Sequence, residues 1–291
     1  MKPEFAILGA GRLGRTLGRL LALRGYQPTG LSCRTLQSAR QARSFIGGGE
    51  PTTSNVQAAA RARLVLLATP DREIVPVARE LARSRMPWSG RIVFHTSGAI
   101  SSAALEPLKR RGALVASVHP LASIAAPRRD IDLRGTPFAI EGDGGAVRPL
   151  RRLVLEVGGT PVTIPRQAKA LYHLIACMLS NDLVAFLAGG FEAARGLGLG
   201  TRQAARLYMP LIRGTVDNVA RFGPVRALTG PVSRGDIATL RLHSEALRTL
   251  PAEMRRVHRV LALRSVGVAL EAGTITPEVA ARLTRLLGSL P

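Results

Sequence analysis

The feature that most limits what this chain can fold into is a change of pattern near residue 165. Before it, short apolar runs at 4–9, 28–33, 64–69, 91–95, 113–118, 136–141 and 160–164 alternate with helix-like segments around 12–24, 36–44, 71–84, 101–110 and 145–157. Hydrophobicity within the runs is continuous rather than alternating, which a strand needs only when both of its faces are covered. That predicts an α/β fold with a doubly wound, mostly parallel sheet. After residue 165 the strand signal disappears, and helical patterns follow at 167–195, 201–221, 235–248, 251–272 and 277–289. The last opens on Thr276-Pro277-Glu278, a good N-cap followed by a proline suited to the first helical position. The expectation is a nucleotide-binding type of α/β domain over 1–165 and an all-α domain over 166–291.

The first strand runs directly into "GAGRLG", with Gly9, Gly11 and Gly14 in G-x-G-x-x-G spacing and a helix opening at once. The first glycine permits the tight turn, the second lets backbone N–H groups approach a pyrophosphate, and the third allows the helix to pack closely on the strand. The helix N-terminus adds partial positive charge. Gly9, Gly11, Arg12, Leu13 and Gly14 are therefore expected to hold a dinucleotide in a Rossmann arrangement. The second strand ends in "LSCRT", and no acid occurs between Glu4 and Glu50 to hold a ribose 2′-hydroxyl. Ser32, Arg34 and Thr35 suit a 2′-phosphate instead, which predicts NADP rather than NAD.

Charge raises a rival reading. The chain carries a formal net charge of +22, as a nucleic-acid binder would. All but Lys2, Lys109 and Lys169 of its 41 basic residues are arginine, however, and they are scattered with few aromatics to stack on bases. A general arginine bias accounts for this, so no nucleic-acid partner is expected, and a lysine stands out. Cys33 and Cys177 are too few for a disulfide framework or a zinc site, and no metal is expected. No leader precedes the first strand, and Ser180, Asn181 and Asp182 interrupt the most apolar stretch, 174–191. That stretch reads as a buried helix of a cytoplasmic protein rather than a membrane span.

Ligands of open α/β sheets sit beyond the carboxyl ends of the strands. Polar groups gather at three such ends: Thr69-Pro70-Asp71, His95-Thr96-Ser97-Gly98 and His119-Pro120. Thr69, Pro70 and Ser97 are expected to line the cofactor crevice, and Gly98 and His119 to meet a substrate. Histidines satisfied within a turn are the alternative for His95 and His119. Next, "QAKALYHLIACMLSN" places Lys169, His173, Cys177 and Asn181 at successive i+4 positions. A carbonyl taking up hydride develops alkoxide charge and needs a proton; a desolvated lysine can answer both demands. Lys169 is the expected proton donor, His173 its partner and Asn181 a positioning amide, while Tyr172 and Cys177 read as packing residues. In "TGPVSRGDIATLRLH", Ser233 and Asp236 are candidate substrate contacts, with a simple helix cap as the alternative for Asp236.

These motifs together resemble the 6-phosphogluconate dehydrogenase-like superfamily. Within it, "GAGRLG", "TPD", "HTSGA", "HP", "YHLIACMLSN" and "TGPVSRGD" are similar to a bacterial family with a Rossmann domain and a C-terminal domain of unknown function. The resemblance covers essentially the whole chain. It implies an NADPH-dependent oxidoreductase that works as a homodimer, and some members are linked to ketopantoate reduction. Superfamily enzymes often carry a Lys-x-x-x-Asn pair here; this chain departs from it with Lys169-x-x-x-His173. A small 2-keto acid is the expected substrate, with ketopantoate as the best single choice. An imine of the pyrroline-carboxylate type and a non-catalytic NADP-binding sensor or scaffold are the alternatives.

Overall fold

The computed structural model describes residues 2–124 and 132–289. The chain divides into two compact units, Met1–Asn181 and Asp182–Pro291.

The first unit is a parallel sheet wrapped by helices. Its elements are β1 (Glu4–Leu8), α1 (Arg12–Leu23), β2 (Gln27–Ser32), α2 (Leu36–Ile46), β3 (Glu50–Thr52), α3 (Asn55–Ala59), β4 (Leu64–Leu67), α4 (Asp71–Arg83), β5 (Ile92–His95), α5 (Glu106–Lys109), β6 (Leu114–Pro120), β7 (Pro137–Gly142), α6 (Gly144–Glu156) and β8 (Thr160–Thr163). The strand order is β3-β2-β1-β4-β5-β6-β7-β8. Every pairing is parallel except β6 with β7. The chain reverses on either side of β1, and that is the point where open α/β sheets bind nucleotides.

Burial of both faces explains the continuous apolar runs. Along β1, Phe5 and Ile7 join a core with Leu17, Leu21, Ile46, Phe138 and Leu150. The alternate residues Ala6 and Leu8 join the opposite core with Ala58, Ile74, Leu81 and Trp88. The short elements β3 and α3 were not anticipated from the sequence.

After β8 the chain turns helical, through α7 (Lys169–Cys177), a π-helical turn (Met178–Asp182) and α8 (Leu183–Ala193). The helical composition starts at the expected place, but the first compact unit extends to Asn181. It does so because α7 side chains bond to the strand-end loops. In the second unit α9 (Thr201–Ala227) breaks at Gly223, and α10 (Ile237–Leu247), α11 (Ala252–Glu271) and α12 (Pro277–Gly288) follow. Leu240, Val266, Ala269, Leu283 and Leu287 form its core.

One expectation is corrected. The run 174–191 was read as a buried helix, yet Leu174, Met178, Leu179 and Val184 are exposed, Leu179 by 73%. The helical stretch Arg166–Leu197 has a mean hydropathy of 1.7 over its most apolar window, none of it buried in the single chain, and is long and apolar enough to cross a membrane. In α7 only Lys169 is buried.

Candidate active site

The first half of the site is the turn from β1 into α1. Gly9 has φ +82°, and a Cβ there would lie 2.7 Å from Cγ2 and 2.8 Å from N of Thr69. Gly14 is crowded too: its Cβ would meet the Gly9 carbonyl at 2.9 Å and Ala68 Cβ at 3.1 Å. Gly11 differs, because the nearest atom to a Cβ would be the Gly9 carbonyl at 3.9 Å. Internal packing thus explains two of the glycines, and Gly11 leaves room for something to approach from outside. Beside this turn the Thr69 hydroxyl is buried without a hydrogen-bond partner, and a buried hydroxyl left unpaired is costly unless a ligand completes it. Arg12 is exposed and Leu13 half-buried in the first turn of α1; Pro70 is exposed ahead of α4. An open second glycine, an orphan hydroxyl and a helix N-terminus fit a bound dinucleotide.

At the end of β2 the three expected contacts separate. Ser32 is buried and donates to Asn55 Oδ1 at 2.7 Å, so its hydroxyl is spent internally rather than on a ligand. Thr35 accepts from the Ser38 N–H at 3.2 Å and caps α2. Arg34 is exposed at the rim. A second guanidinium there was not anticipated: Arg15 donates to the carbonyls of Ala10 at 3.0 Å and Ser38 at 3.2 Å. In a chain so rich in arginine nothing in the sequence singles it out.

The second half of the site lies at the carboxyl ends of β5 and β6. His95 is fully buried; its Nδ1 accepts from the Ser97 N–H at 3.2 Å and its Nε2 lies 3.2 Å from the Ser101 carbonyl. Nδ1 can accept only without a proton, so the ring is the neutral Nε2–H tautomer. Burial, followed by the charge of Lys169, pulls its pKa down to about 4. The next loop is fixed as tightly: the Ser97 hydroxyl donates to Asp71 at 2.8 Å and accepts from the Ile100 N–H at 2.9 Å.

Lys169 is 2% exposed. Its ammonium donates to the Ser97 carbonyl at 2.7 Å and the Ser117 hydroxyl at 2.8 Å. Desolvation lowers its pKa to about 8, against the opposing pull of Glu141 and Asp71. Glu141 is itself buried and accepts from the Ser102 hydroxyl at 2.8 Å.

At the lip of this cluster His119 Nδ1 lies 2.9 Å from the Tyr172 hydroxyl. The rings of His119 and His173 meet edge-on at 5.9 Å. Burial, then Lys169 and His173, lowers the His119 pKa to about 4. A Cβ at Gly98 would overlap Cδ2 of His173 and stand 3.0 Å from Nε2 of His119, so any side chain there would displace these rings. Cys177 Sγ sits 3.7 Å from His173 Nδ1.

Ser97, Gly98, His119, Lys169 and His173 are thus brought together. Asn181 is exposed in the π-helical turn, and among the described residues it makes no hydrogen bond to this cluster. In the second unit Asp236 caps α10: its two oxygens accept from the Thr239 N–H at 3.0 Å and hydroxyl at 2.7 Å. Ser233 donates to the Gly230 carbonyl at 2.9 Å. Both candidate substrate contacts therefore spend their hydrogen bonds on their own loop. Tyr172, expected to pack, is a polar member of the cluster, as are Ser117 and Asp71. Among the described residues no group of His, Cys, Asp and Glu is arranged to hold a metal.

Matches to known families cut the chain at another place, because the second begins at residue 136, within the first compact unit. Residues 2–120 match a Rossmann-like domain, and residues 136–265 match the domain of unknown function DUF2520. No curated protein matches the sequence. Among solved structures, a Bacteroides fragilis protein provisionally described as an NADP oxidoreductase superposes with a TM-score of 0.73 at 21% identity, covering 92% of this chain and 98% of its own. A protein from Thermotoga maritima superposes at 0.62 with 25% identity over 98% of both chains. An imine reductase from a Pseudomonas species does so at 0.64 with 18% identity, over 99% of this chain and 100% of its own. On these matches the chain is a Rossmann-like domain followed by a DUF2520 domain.

Proposed function

We propose that the protein is an NADPH-dependent oxidoreductase that reduces a small 2-keto acid or related carbonyl, with ketopantoate the best single candidate. The observation that carries this reading is the arrangement along one edge of the sheet. A glycine turn open at Gly11 stands at the end of β1, and a buried, depressed-pKa lysine network stands at the ends of β5 and β6. The dihydronicotinamide of NADPH supplies hydride when bound. Backbone N–H groups of Arg12, Leu13 and Gly14 in the first helical turn hold the pyrophosphate, since those of Gly9, Ala10 and Gly11 already bond the Ser32 and Gly9 carbonyls. Thr69 gives its unpaired hydroxyl and Pro70 walls the crevice. Arg34 takes the 2′-phosphate, as its exposed position allows. Ser97 and Gly98 form the floor on which substrate lies, next to His119 and His173.

Lys169 was expected to donate the proton. Two of its three N–H groups are held by Ser97 and Ser117, so its part in this reading is different. It fixes the floor and stabilises negative charge growing on the substrate oxygen, an effect that low-dielectric surroundings strengthen.

Reduction of a cyclic imine of the pyrroline-carboxylate type is the second reading, favoured by the likeness to an imine reductase. A homodimer in the cytoplasm completes the proposal. The exposed apolar face of Arg166–Leu197 suits a second copy of the chain, and light scattering should give twice the mass of 30.9 kDa.

The test is a panel of 2-keto acids and cyclic imines assayed by loss of NADPH absorbance. Turnover of a keto acid is expected, and preference for imines would select the second reading. Tight NADPH binding without turnover would mean a sensor or scaffold. Arg34→Ala should weaken NADPH about tenfold and leave NADH unchanged, consistent with loss of a charge-assisted contact of roughly 1.4 kcal/mol. Equal losses for both cofactors would remove the 2′-phosphate assignment.

A further inference from the structure

We propose that the proton is given to the substrate by the hydroxyl of Tyr172, held in place by His119, with the charge of Lys169 beneath it. The proposal rests on the reductase reading above. Elimination and geometry both lead to it. His95 is sealed in its loop with both ring nitrogens bonded. Lys169 is buried with its ammonium committed to the Ser97 carbonyl and Ser117 hydroxyl. Among the described residues the His173 ring has the Cys177 thiol, Gly98 and the edge of His119 beside it, and the thiol is a weak partner with which to orient an acid.

Tyr172 meets the requirement. It is half-buried, and its hydroxyl lies 2.9 Å from His119 Nδ1. If Nδ1–H donates to the phenol oxygen, the phenol proton is free to point at a substrate lying on Ser97 and Gly98. The ammonium of Lys169 lies 5.9 Å from the ring centroid, and burial raises the phenol pKa, so the proton stays on Tyr172 until negative charge on the substrate oxygen draws it off. The groups facing this pair are Lys169 and His173 from α7, Asp71 from the start of α4 and the Ser97–Gly98 loop.

The step balances. The substrate carbonyl carbon gains hydride from the reduced nicotinamide, and the C=O π pair moves onto oxygen. The O–H bond of Tyr172 breaks and its proton goes to that oxygen, giving the alcohol. The tyrosinate recovers its proton directly from water, and His119 keeps its Nδ1–H. The substrate is reduced and the nicotinamide oxidised.

The test compares wild type, Tyr172→Phe, His119→Ala and His119→Asn on the wild type's best substrate from the keto acid and imine panel. Tyr172→Phe should lower kcat about 10²–10³-fold, with KM and NADPH affinity within about twofold. His119→Ala should fall between, and His119→Asn should recover part of the loss, because its amide N–H can bond the phenol oxygen. Tyr172→Phe should melt within about 2–4 °C of wild type, as removal of one hydrogen bond implies. A Tyr172→Phe protein that keeps kcat within about twofold, or loses only KM, overturns the proposal while the reductase reading stands. A wild type that turns over nothing on the panel overturns both.

Discussion

Two helices of this molecule carry polar residues at similar spacings, and they use them in opposite ways. In α10 the carboxylate of Asp236 takes both of its hydrogen bonds from Thr239, three residues on, and closes its own helix end. In α7 the partners are remote: Lys169 reaches Ser97, 72 positions away, and Tyr172 reaches His119, 53 positions away. A polar side chain that satisfies its own backbone is a fold signal. One that crosses the chain to a strand end, and is desolvated there, costs stability that local structure does not require. The difference sets a helix that closes its own end against one that gathers the candidate site.

The contrast can be broken by titrating stability. The largest effect is expected on acidification. His95 has a folded pKa of about 4 against 6.5 for an ordinary histidine, so between those values the unfolded chain holds a proton that the folded chain lacks. Stability should therefore fall as pH drops from 6.5 to 4, by on the order of 3 kcal/mol from this residue. His119, also depressed to about 4, adds to the same limb, so His95→Gln should remove about half of it in denaturant titrations. A limb left unchanged in His95→Gln would place the cost elsewhere.

A comparable limb is expected in alkali. Lys169 titrates at about 8 when folded against 10.5 unfolded, so stability should rise as pH climbs through that window. Lys169→Met should abolish the rise, and an unchanged rise would mean that the ammonium is not desolvated. The smallest effect belongs to the other helix. Asp236→Ala should cost about 1 kcal/mol, the usual loss of an N-cap, with unchanged kcat. A lost kcat there would make Asp236 part of the site.

Much of the fold was legible because continuous apolar runs and capped helices are strong local signals. β3 was hidden by its length of three residues and by Pro51, and α3 by a length of five. The antiparallel turn of β7 was hidden because strand direction leaves no mark on side-chain pattern. In the candidate site, the tight turn at Gly9 and Gly14 was readable from spacing, and Lys169 stood out through the rarity of lysine. Tyr172 was not, since an aromatic ring in an apolar helix looks like packing until its hydroxyl partner is known. Ser32 misled for the opposite reason: its hydroxyl suits a ligand in sequence, but Asn55 occupies it. The exposure of Leu179 and its neighbours was equally hidden, because an apolar sequence does not say whether its own chain covers it.

The most direct test of the central claim is kcat/KM for NADPH-dependent reduction by wild type, Lys169→Met and Asp236→Ala, side by side. If α7 builds the site and α10 only caps itself, Lys169→Met should lose about 10²–10³-fold, as removal of a charge stabiliser does, and Asp236→Ala should stay within about twofold of wild type. Equal activity in all three proteins, or a larger loss in Asp236→Ala, would contradict the account.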